Sequence, residues 1–240
     1  MQFDQVLQQA ILIRRYKRFL ADIKLKDGTE LTIHCPNSGS MKSCSEPGSR
    51  ICYSTSGNPK RKYPHTLEMV HNGKTWIGVN TSRTNNIVAE AIEKRQIKEL
   101  SRFDTISREV KTSDGSRLDL MLEDNTKRTY IEIKNCSLVE KGLAMFPDAV
   151  TSRGTKHLLE LARLVSEGHR GVIFFLVQRL DGLYFTPAAA IDPLYTSTLS
   201  KVHKSGVRVL VYQAEVTPES IQVVKALPVE LDGKIMPISE

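Results

Sequence analysis

Two carboxylates and a lysine have the order and spacing of a metal-assisted phosphodiesterase site. Asp119 is followed, after a polar segment, by Glu132 and Lys134. Carboxylate oxygens are the hard ligands that Mg²⁺ prefers, and the carbonyl of Ile133 would supply one more. Such a set leaves positions for water and a phosphate group, and a lysine beside the metal can orient or deprotonate the attacking water. The pattern predicts a nucleic-acid-cutting site with Mg²⁺, or Mn²⁺, as its cofactor.

The segments that carry these residues read as a β-hairpin. Apolar and polar residues alternate in residues 117–122 and again in 129–134, and the polar run 123–128 joins them. Alternation places Glu132 and Lys134 on one face of their strand, with Asp119 beside them on the neighbouring strand. A solvated hairpin face with weak cross-strand ion pairs would have the same pattern, so this alternative stays open.

Length and composition indicate an ordinary globular protein. The chain has 240 residues, of which 40% are hydrophobic and 25% charged. No apolar run reaches the length of a membrane span, which argues against a membrane protein. The first residues lack the features of a signal peptide, so we expect a cytoplasmic location. The four cysteines have no metal-ligand spacing, which argues against a zinc site.

The positive charge is concentrated in the first third of the chain. Residues 1–85 contain 13 Lys and Arg against 6 Asp and Glu, whereas residues 86–240 contain 21 of each. This asymmetry favours binding of a polyanion by the first part, with a merely basic surface as the alternative. Two clusters that also contain a tyrosine carry predicted nucleic-acid contacts: Arg14, Arg15, Lys17 and Arg18, and Lys60, Arg61 and Lys62.

Two domains are predicted. Residues 1–83 show short strands separated by turn signals, which favours an all-β barrel of the oligonucleotide-binding (OB) type. Residues 84–240 alternate helical and strand patterns, which favours an α/β domain with a mixed sheet. The first helix of that domain starts behind Asn85 and Asn86, taken as possible N-caps, and carries Glu90 off its apolar stripe.

Several blocks of the sequence resemble a known family. An α/β domain with a helical acid, a strand acid and Glu-x-Lys looks like the PD-(D/E)xK nuclease superfamily. The whole chain resembles the sugar fermentation stimulation protein A family, through the blocks HCPNSGSM (34–41), KRKYPHT (60–66), YIEIKN (130–135) and FPDAVTSRGTKHLLEL (146–161). The resemblance implies an OB-fold followed by a restriction-endonuclease-like domain, and a non-specific DNA-binding protein.

The resemblance also implies roles for individual residues. Asp119, Glu132 and Lys134 match the superfamily's acid and its Glu-x-Lys, while Leu118 stands where the superfamily has a proline. Glu90 matches a helical acid that some members use as a catalytic metal ligand. Further positions are implied near the nucleic acid or the site: Asn37, Ser38, Lys156, His157 and Gln178. For Lys156 and His157 the alternative is an ordinary surface residue, for Asn37 and Ser38 it is an ordinary turn, and for Glu90 it is a solvated helical acid.

Three functions are compatible with these observations. The first is a cytoplasmic DNA-binding protein with a Mg²⁺-dependent nuclease site. The second is a non-catalytic DNA-binding regulator that keeps the nuclease fold. The third is an RNA-binding or RNA-processing protein, since OB-folds accept either polymer. The oligomeric state is left open.

Overall fold

A computed structural model of the chain describes residues 1–113, 115–125 and 127–236. In this range an OB-like barrel is followed by an α/β domain with a mixed sheet, which confirms the predicted fold class. Thr126, part of the predicted hairpin loop, lies outside the described residues. Residues 237–240 of the predicted second domain also lie outside them.

The barrel is built from short strands whose inward-facing residues are apolar. In the described chain these are β1 (Gln8–Tyr16), β2 (Leu20–Lys24), β3 (Glu30–His34), β4 (Arg50–Thr55), β5 (His65–His71) and β6 (Trp76–Gly78). The order is β3-β2-β1-β4-β5-β6, and a pairing of His34 with Thr66 closes β3 onto β5. Alternation along the strands fills the interior with Leu12, Ile23, Ile33, Ile51 and Leu67.

The second domain begins after a 3₁₀ turn at Thr81–Arg83. Its described elements are α1 (Thr84–Glu93), β7 (Thr105–Ser113), β8 (Ser116–Asp124), β9 (Lys127–Cys136), β10 (Leu138–Glu140), β11 (Leu143–Phe146), α2 (Ser152–Ser166), β12 (Arg170–Val177), β13 (Tyr184–Pro187), α3 (Pro193–Lys204), β14 (Arg208–Val216), β15 (Ile221–Ala226), β16 (Val229–Leu231) and β17 (Lys234–Met236).

The main sheet has the order β15-β14-β12-β9-β8-β7. Strands β9, β12 and β14 are parallel, and the outer strands pair antiparallel. Both faces of β12 are covered, since Phe174 packs in the core with α1 and Phe175 packs in the core with α2 and α3. This explains why β12 is a continuous apolar run rather than an alternating one.

A smaller sheet, of order β10-β11-β13-β16-β17, was not predicted from the sequence. Its strands have only three or four residues each, which is too short for a periodic pattern. The predicted hairpin is present, but its strands are longer than expected, because β8 runs to Asp124 and β9 begins at Lys127. In the described part of the chain, no helix combines the length and apolar character needed to cross a membrane.

Buried polar contacts join the barrel to the α/β domain. The side chain of Arg179 is only 2% exposed and is paired with Asp181. Its guanidinium donates to the Ser43 hydroxyl at 3.0 Å and to the Ser137 carbonyl at 2.8 Å. Asn72 of the barrel donates to Asp181 at 2.9 Å. A charge buried in this way is stable only with its partners in place, so these contacts hold the two domains in one arrangement.

Candidate active site

The β8–β9 hairpin brings the two predicted carboxylates together. Leu120 pairs with Ile131, so the next residue pair along the ladder places Asp119 beside Glu132. The backbone N–H of Ile133 donates to Asp119 Oδ2 at 2.7 Å, and Asn85 of α1 donates to Oδ1 at 2.8 Å. Asp119 is therefore held between its neighbouring strand and the first turn of α1.

The electrostatic environment of Asp119 is unusual for a carboxylate. Burial, followed by the nearby negative charge of Glu132, raises its pKa to about 6 from the usual 3.8. The hydrogen bonds from Ile133 and Asn85 and the charge of Lys134 act in the opposite direction, but they do not compensate. Two close carboxylates that repel each other are the arrangement that a cation relieves.

Glu132 is almost completely buried, with 2% of its surface exposed. Its Oε1 accepts a hydrogen bond from Lys134 Nζ at 2.5 Å and is also in contact with His157 Nδ1. Burial alone would raise the pKa of Glu132, but the bonds and charges of His157 and Lys134 outweigh it and lower the pKa. Its Oε2 is buried without a hydrogen-bond partner among the described residues. Oε1 is thus fully occupied, and Oε2 is free to accept a further partner.

A cleft between the barrel and the α/β domain lies over this pair. Asn85 and Lys134, which contact the two carboxylates, form part of its surface. Both domains contribute to the lining, which includes Arg18, Ser38, Asn85, Lys134, Asp148 and Arg153. The carboxylates are not part of the lining themselves, but they lie next to a surface that a large substrate can reach.

The two domains approach closely at Gly39. A Cβ atom at Gly39 would collide with the carboxylate group of Asp148, 2.7 Å from its Cγ, so there is no room for a side chain unless Asp148 moves. Asp148 Oδ2 in turn accepts the backbone N–H of Met41 at 3.1 Å. The barrel loop that forms one wall of the cleft is thereby fixed against the other domain.

The donor set fits a hard divalent cation with an incomplete protein shell. Asp119, Glu132 Oε2 and the carbonyl of Ile133 are the available oxygens, and Mg²⁺ commonly keeps several waters beside one or two carboxylates. In the described part of the chain, no three His, Cys, Asp or Glu side chains converge as a metal-binding group. The unpaired buried Oε2 of Glu132 is the observation that favours a cation at this point.

The structure does not bring Glu90, the predicted third ligand, to the carboxylate pair. The Glu90 carboxylate binds the N-terminal ammonium at 3.0 Å and Lys94 one helical turn away. The same ammonium donates to the carbonyl of Ile221 on β15. Because β15 is three strands from β9 in the sheet, Glu90 is about 14 Å from the carboxylate pair at the usual strand spacing.

Asn85 takes the position near Asp119 that Glu90 was expected to occupy. Helix α1 begins at Thr84, so Asn85 and Asn86 lie inside its first turn and neither is the N-cap. Asn85 points towards β8, whereas Glu90, five residues later, is on a different side of the helix. The amide was considered only as a capping group, so its role as a partner of Asp119 was missed.

Two of the predicted nucleic-acid contacts in the barrel are structural. Arg15 donates to the carbonyls of Asn37 at 2.7 Å and Gly39 at 2.8 Å, and it also binds the carbonyls of Arg18 and Ser40. Asn37 is buried and accepts the backbone N–H of Gly39. Both side chains hold the loop that lines the cleft, and Asn37 is itself part of the cleft lining.

The other barrel residues remain accessible. Arg18 and Ser38 line the cleft. Arg14 is paired with Asp22 at 2.8 Å but is 67% exposed, and Lys17 lies in the adjoining turn. The predicted second cluster is exposed on the loop before β5 and is not part of the cleft lining: Lys60, Arg61 and Lys62.

The predicted pair on α2 is divided between two sides of the helix. Lys156 is exposed and donates to the carbonyl of Gly115 at 3.0 Å. His157 is buried and contacts Glu132, so its ring lies against the carboxylate pair rather than on the surface of the helix. Consecutive helical residues are about 100° apart, which turns one outwards and the other towards the sheet. Gln178 is fully buried and donates to Asn135 at 2.6 Å, beneath the cleft.

Comparison with known proteins agrees with this architecture. Residues 13–79 match the family description "SfsA N-terminal OB domain", and residues 82–220 match "Sugar fermentation stimulation protein RE domain". A sugar fermentation stimulation protein homolog from Desulfotalea psychrophila is 54% identical over 237 residues, covering 99% of this chain and 98% of the relative. A homolog from Pelobacter propionicus is 54% identical over 220 residues, covering 92% and 96%.

A solved structure gives the same result at lower identity. Pyrococcus furiosus SfsA in complex with Ca²⁺ superimposes with a TM-score of 0.87 at 25% identity, covering 96% of this chain and 98% of that one. Both domains and nearly the full length of the relatives are therefore matched. The chain belongs to the sugar fermentation stimulation protein (SfsA) family.

Proposed function

We propose that this protein binds nucleic acid, DNA in preference to RNA, and hydrolyses its phosphodiester bonds with Mg²⁺ or Mn²⁺. The observation that carries the proposal is the buried pair of Asp119 and Glu132, with one unpaired carboxylate oxygen, beneath an interdomain cleft. In a purely structural ion pair, both oxygens of a buried carboxylate would usually have hydrogen-bond partners. A cation between these oxygens would both satisfy Glu132 and relieve the repulsion that raises the pKa of Asp119.

The roles follow from the contacts. Asp119, Glu132 Oε2 and the Ile133 carbonyl would hold the cation. A bound Mg²⁺ would supply Lewis-acid stabilisation of the negative charge on the phosphate under attack. Lys134 has 16% of its side chain exposed, at the surface of the cleft, and its ammonium group donates to Glu132. From there it orients the attacking water and stabilises the charge that develops on the phosphate oxygens.

Nucleic acid as the substrate is supported by charge and by the fold. The formal net charge is +7, and OB barrels commonly bind oligonucleotides. Exposed cations are available to phosphates on the barrel and on α2: Arg14, Lys17, Arg18, Lys60, Arg61, Lys62 and Lys156. The Ca²⁺ complex of the Pyrococcus furiosus relative supports a hard divalent cation as the cofactor. All four cysteines are free and buried, which agrees with a reducing cytoplasm.

The test is a cleavage assay on the purified protein with single- and double-stranded DNA and RNA, in Mg²⁺, Mn²⁺ or EDTA. We expect metal-dependent cleavage that falls about 10²-fold or more in Lys134→Ala, the scale of a positioned electrostatic group. The matched control is Lys127→Ala, at the exposed far end of the same strand, which should cleave like the wild type. Nucleic-acid binding should persist in both variants.

The assay also separates an enzyme from a binding protein. If the wild type binds nucleic acid but shows no metal-dependent cleavage, the catalytic part of the proposal is wrong. Cleavage of equal rate in the wild type and in Lys134→Ala would come from another site or from a contaminating nuclease.

A further inference from the structure

A second concave surface lies next to the carboxylate pair, at the junction of the β7–β8 hairpin and the first turns of α2. We call it the basic groove. Its polar lining consists of Lys111, Ser116, Arg117, Ser152, Arg153 and Lys156. The lining residues that the structure describes include no aspartate or glutamate. The groove therefore presents positive charge and hydroxyl groups to whatever enters it.

This concentration of charge does not follow from composition. Residues 86–240 carry equal numbers of basic and acidic residues, 21 of each, so the α/β domain as a whole is neutral. A neutral domain that collects four cations and no described acid in one concave surface has separated its charges. Such a separation creates a local field that attracts anions.

The local contacts leave three of these cations available. Lys156 donates to the carbonyl of Gly115, a neutral acceptor, and no ion pair links it to a described acidic residue. Arg117 is 3.7 Å from Glu109, and the two side chains are 61% and 59% exposed. An ion pair in that position is weak and readily replaced by a phosphate. Arg153 is exposed at the start of α2.

The groove is continuous with the proposed active site. Arg153 contributes to the groove and also to the interdomain cleft that contains Lys134. His157 is at the base of the groove and contacts Glu132 directly. A chain that reaches the carboxylate pair from the cleft would pass Arg153 and continue into the basic groove.

We propose that the basic groove binds the phosphate backbone of the substrate strand on one side of the scissile phosphate. This proposal rests on the proposed function. An extended series of cations suits successive phosphates better than a single small anion. Phosphate contacts position a strand without reading its bases, so the groove would contribute affinity and alignment but no sequence preference.

The test uses the full-length protein in EDTA, so that binding is measured without cleavage. Arg117→Ala, Arg153→Ala and Lys156→Ala are combined in one variant. The control combines Lys201→Ala, Lys225→Ala and Lys234→Ala, which removes the same charge from exposed positions of the same domain, away from the groove. The probe is a fluorescently labelled DNA oligonucleotide, single-stranded or duplex, titrated over a series of salt concentrations.

In the groove variant, the plot of log affinity against log salt should become less steep by about two to three units, at roughly 0.7–0.9 per lost phosphate contact. The control variant should keep the wild-type slope. Both variants should melt like the wild type, because the substituted side chains are on the surface.

A groove variant with the slope of the control would overturn the proposal while leaving the proposed function intact, provided that the wild type binds and cleaves. A wild type that binds neither probe at low salt would overturn both.

Discussion

Replacing Asp119 with asparagine should stabilise the metal-free protein. The pKa of Asp119 is raised from 3.8 to about 6, a difference of about two units. Each unit corresponds to about 1.4 kcal/mol, so above both values the ionised carboxylate costs the folded state about 3 kcal/mol. The amide that replaces the carboxylate would keep an acceptor for the Ile133 N–H, and a flipped Asn85 amide would accept from its NH₂ group. We expect a net gain of about 1–3 kcal/mol.

The stability gained by Asp119→Asn should depend on pH in a defined direction. Above pH 6, Asp119 is ionised in both the folded and unfolded states, and its full penalty is present. Between pH 6 and 3.8 the folded protein binds a proton that the unfolded chain does not, so the penalty shrinks as the pH falls. The stability difference between Asp119→Asn and the wild type should be complete near pH 7.5 and about half as large near pH 5.

The assay is thermal unfolding in EDTA and in saturating Mg²⁺ or Mn²⁺. At about 2–4 °C per kcal/mol for a chain of this size, the variant should melt roughly 2–12 °C above the wild type in EDTA near pH 7.5. Metal should stabilise the wild type, by about 2.7 kcal/mol at a hundredfold excess over Kd, and should leave the variant unchanged.

Two outcomes would refute this reasoning. One is an Asp119→Asn protein that is less stable than the wild type in EDTA near pH 7.5, and the other is an equal metal response in the two proteins. Glu90→Gln serves as the matched carboxylate control. Because Glu90 pairs with the N-terminus and Lys94, its substitution should not change the metal-induced shift.

The remaining predictions concern the groups around the pair. His157→Leu should weaken metal binding, measured by thermal shift, about 10–100-fold, because the contact with Glu132 is lost. His157→Asn should restore much of that affinity. Equal metal affinities in the wild type and in His157→Leu would assign no positioning role to His157. Gly78→Ala should lower the Tm by roughly 2–10 °C, because its Cβ would collide with the buried Gln178 amide oxygen. Gly57→Ala, with open space around it, should leave the Tm unchanged, and equal shifts in the two variants would show that the interdomain contact is not close-packed.

The hairpin was predictable because its sequence pattern and its burial have the same period. Leu120 and Leu122 are buried in the core with α1, whereas Leu118 is buried in the core with α2 and α3, and Asp119 alternates with them in sequence. A shift of one residue would turn Leu120 and Leu122 away from the core with α1, so the hydrophobic pattern determines the register. The register in turn places Asp119 beside Glu132, and this part of the candidate site follows from the sequence alone.

Contacts that depend on tertiary structure were not predictable in the same way. The basic groove joins Arg117 to Arg153 and Lys156, about forty residues later in the chain, and no local pattern marks them as neighbours. Arg15 lies in a basic run, which suggests a phosphate contact, but four backbone carbonyls occupy its guanidinium. Local charge does not tell whether a cation faces solvent or supports a loop.

The two oxygens of Glu132 make the case for function rather than stability. A carboxylate needed only for folding would be most stable with both oxygens bonded, since an unmet buried acceptor costs about 1–3 kcal/mol. In this protein, Lys134 and His157 both contact Oε1, and Oε2 has no partner among the described residues. The same contacts keep Glu132 ionised, while Asp119 beside it has a raised pKa. Unfavourable features of this kind tend to concentrate at functional sites, and a bound divalent cation would correct both of them.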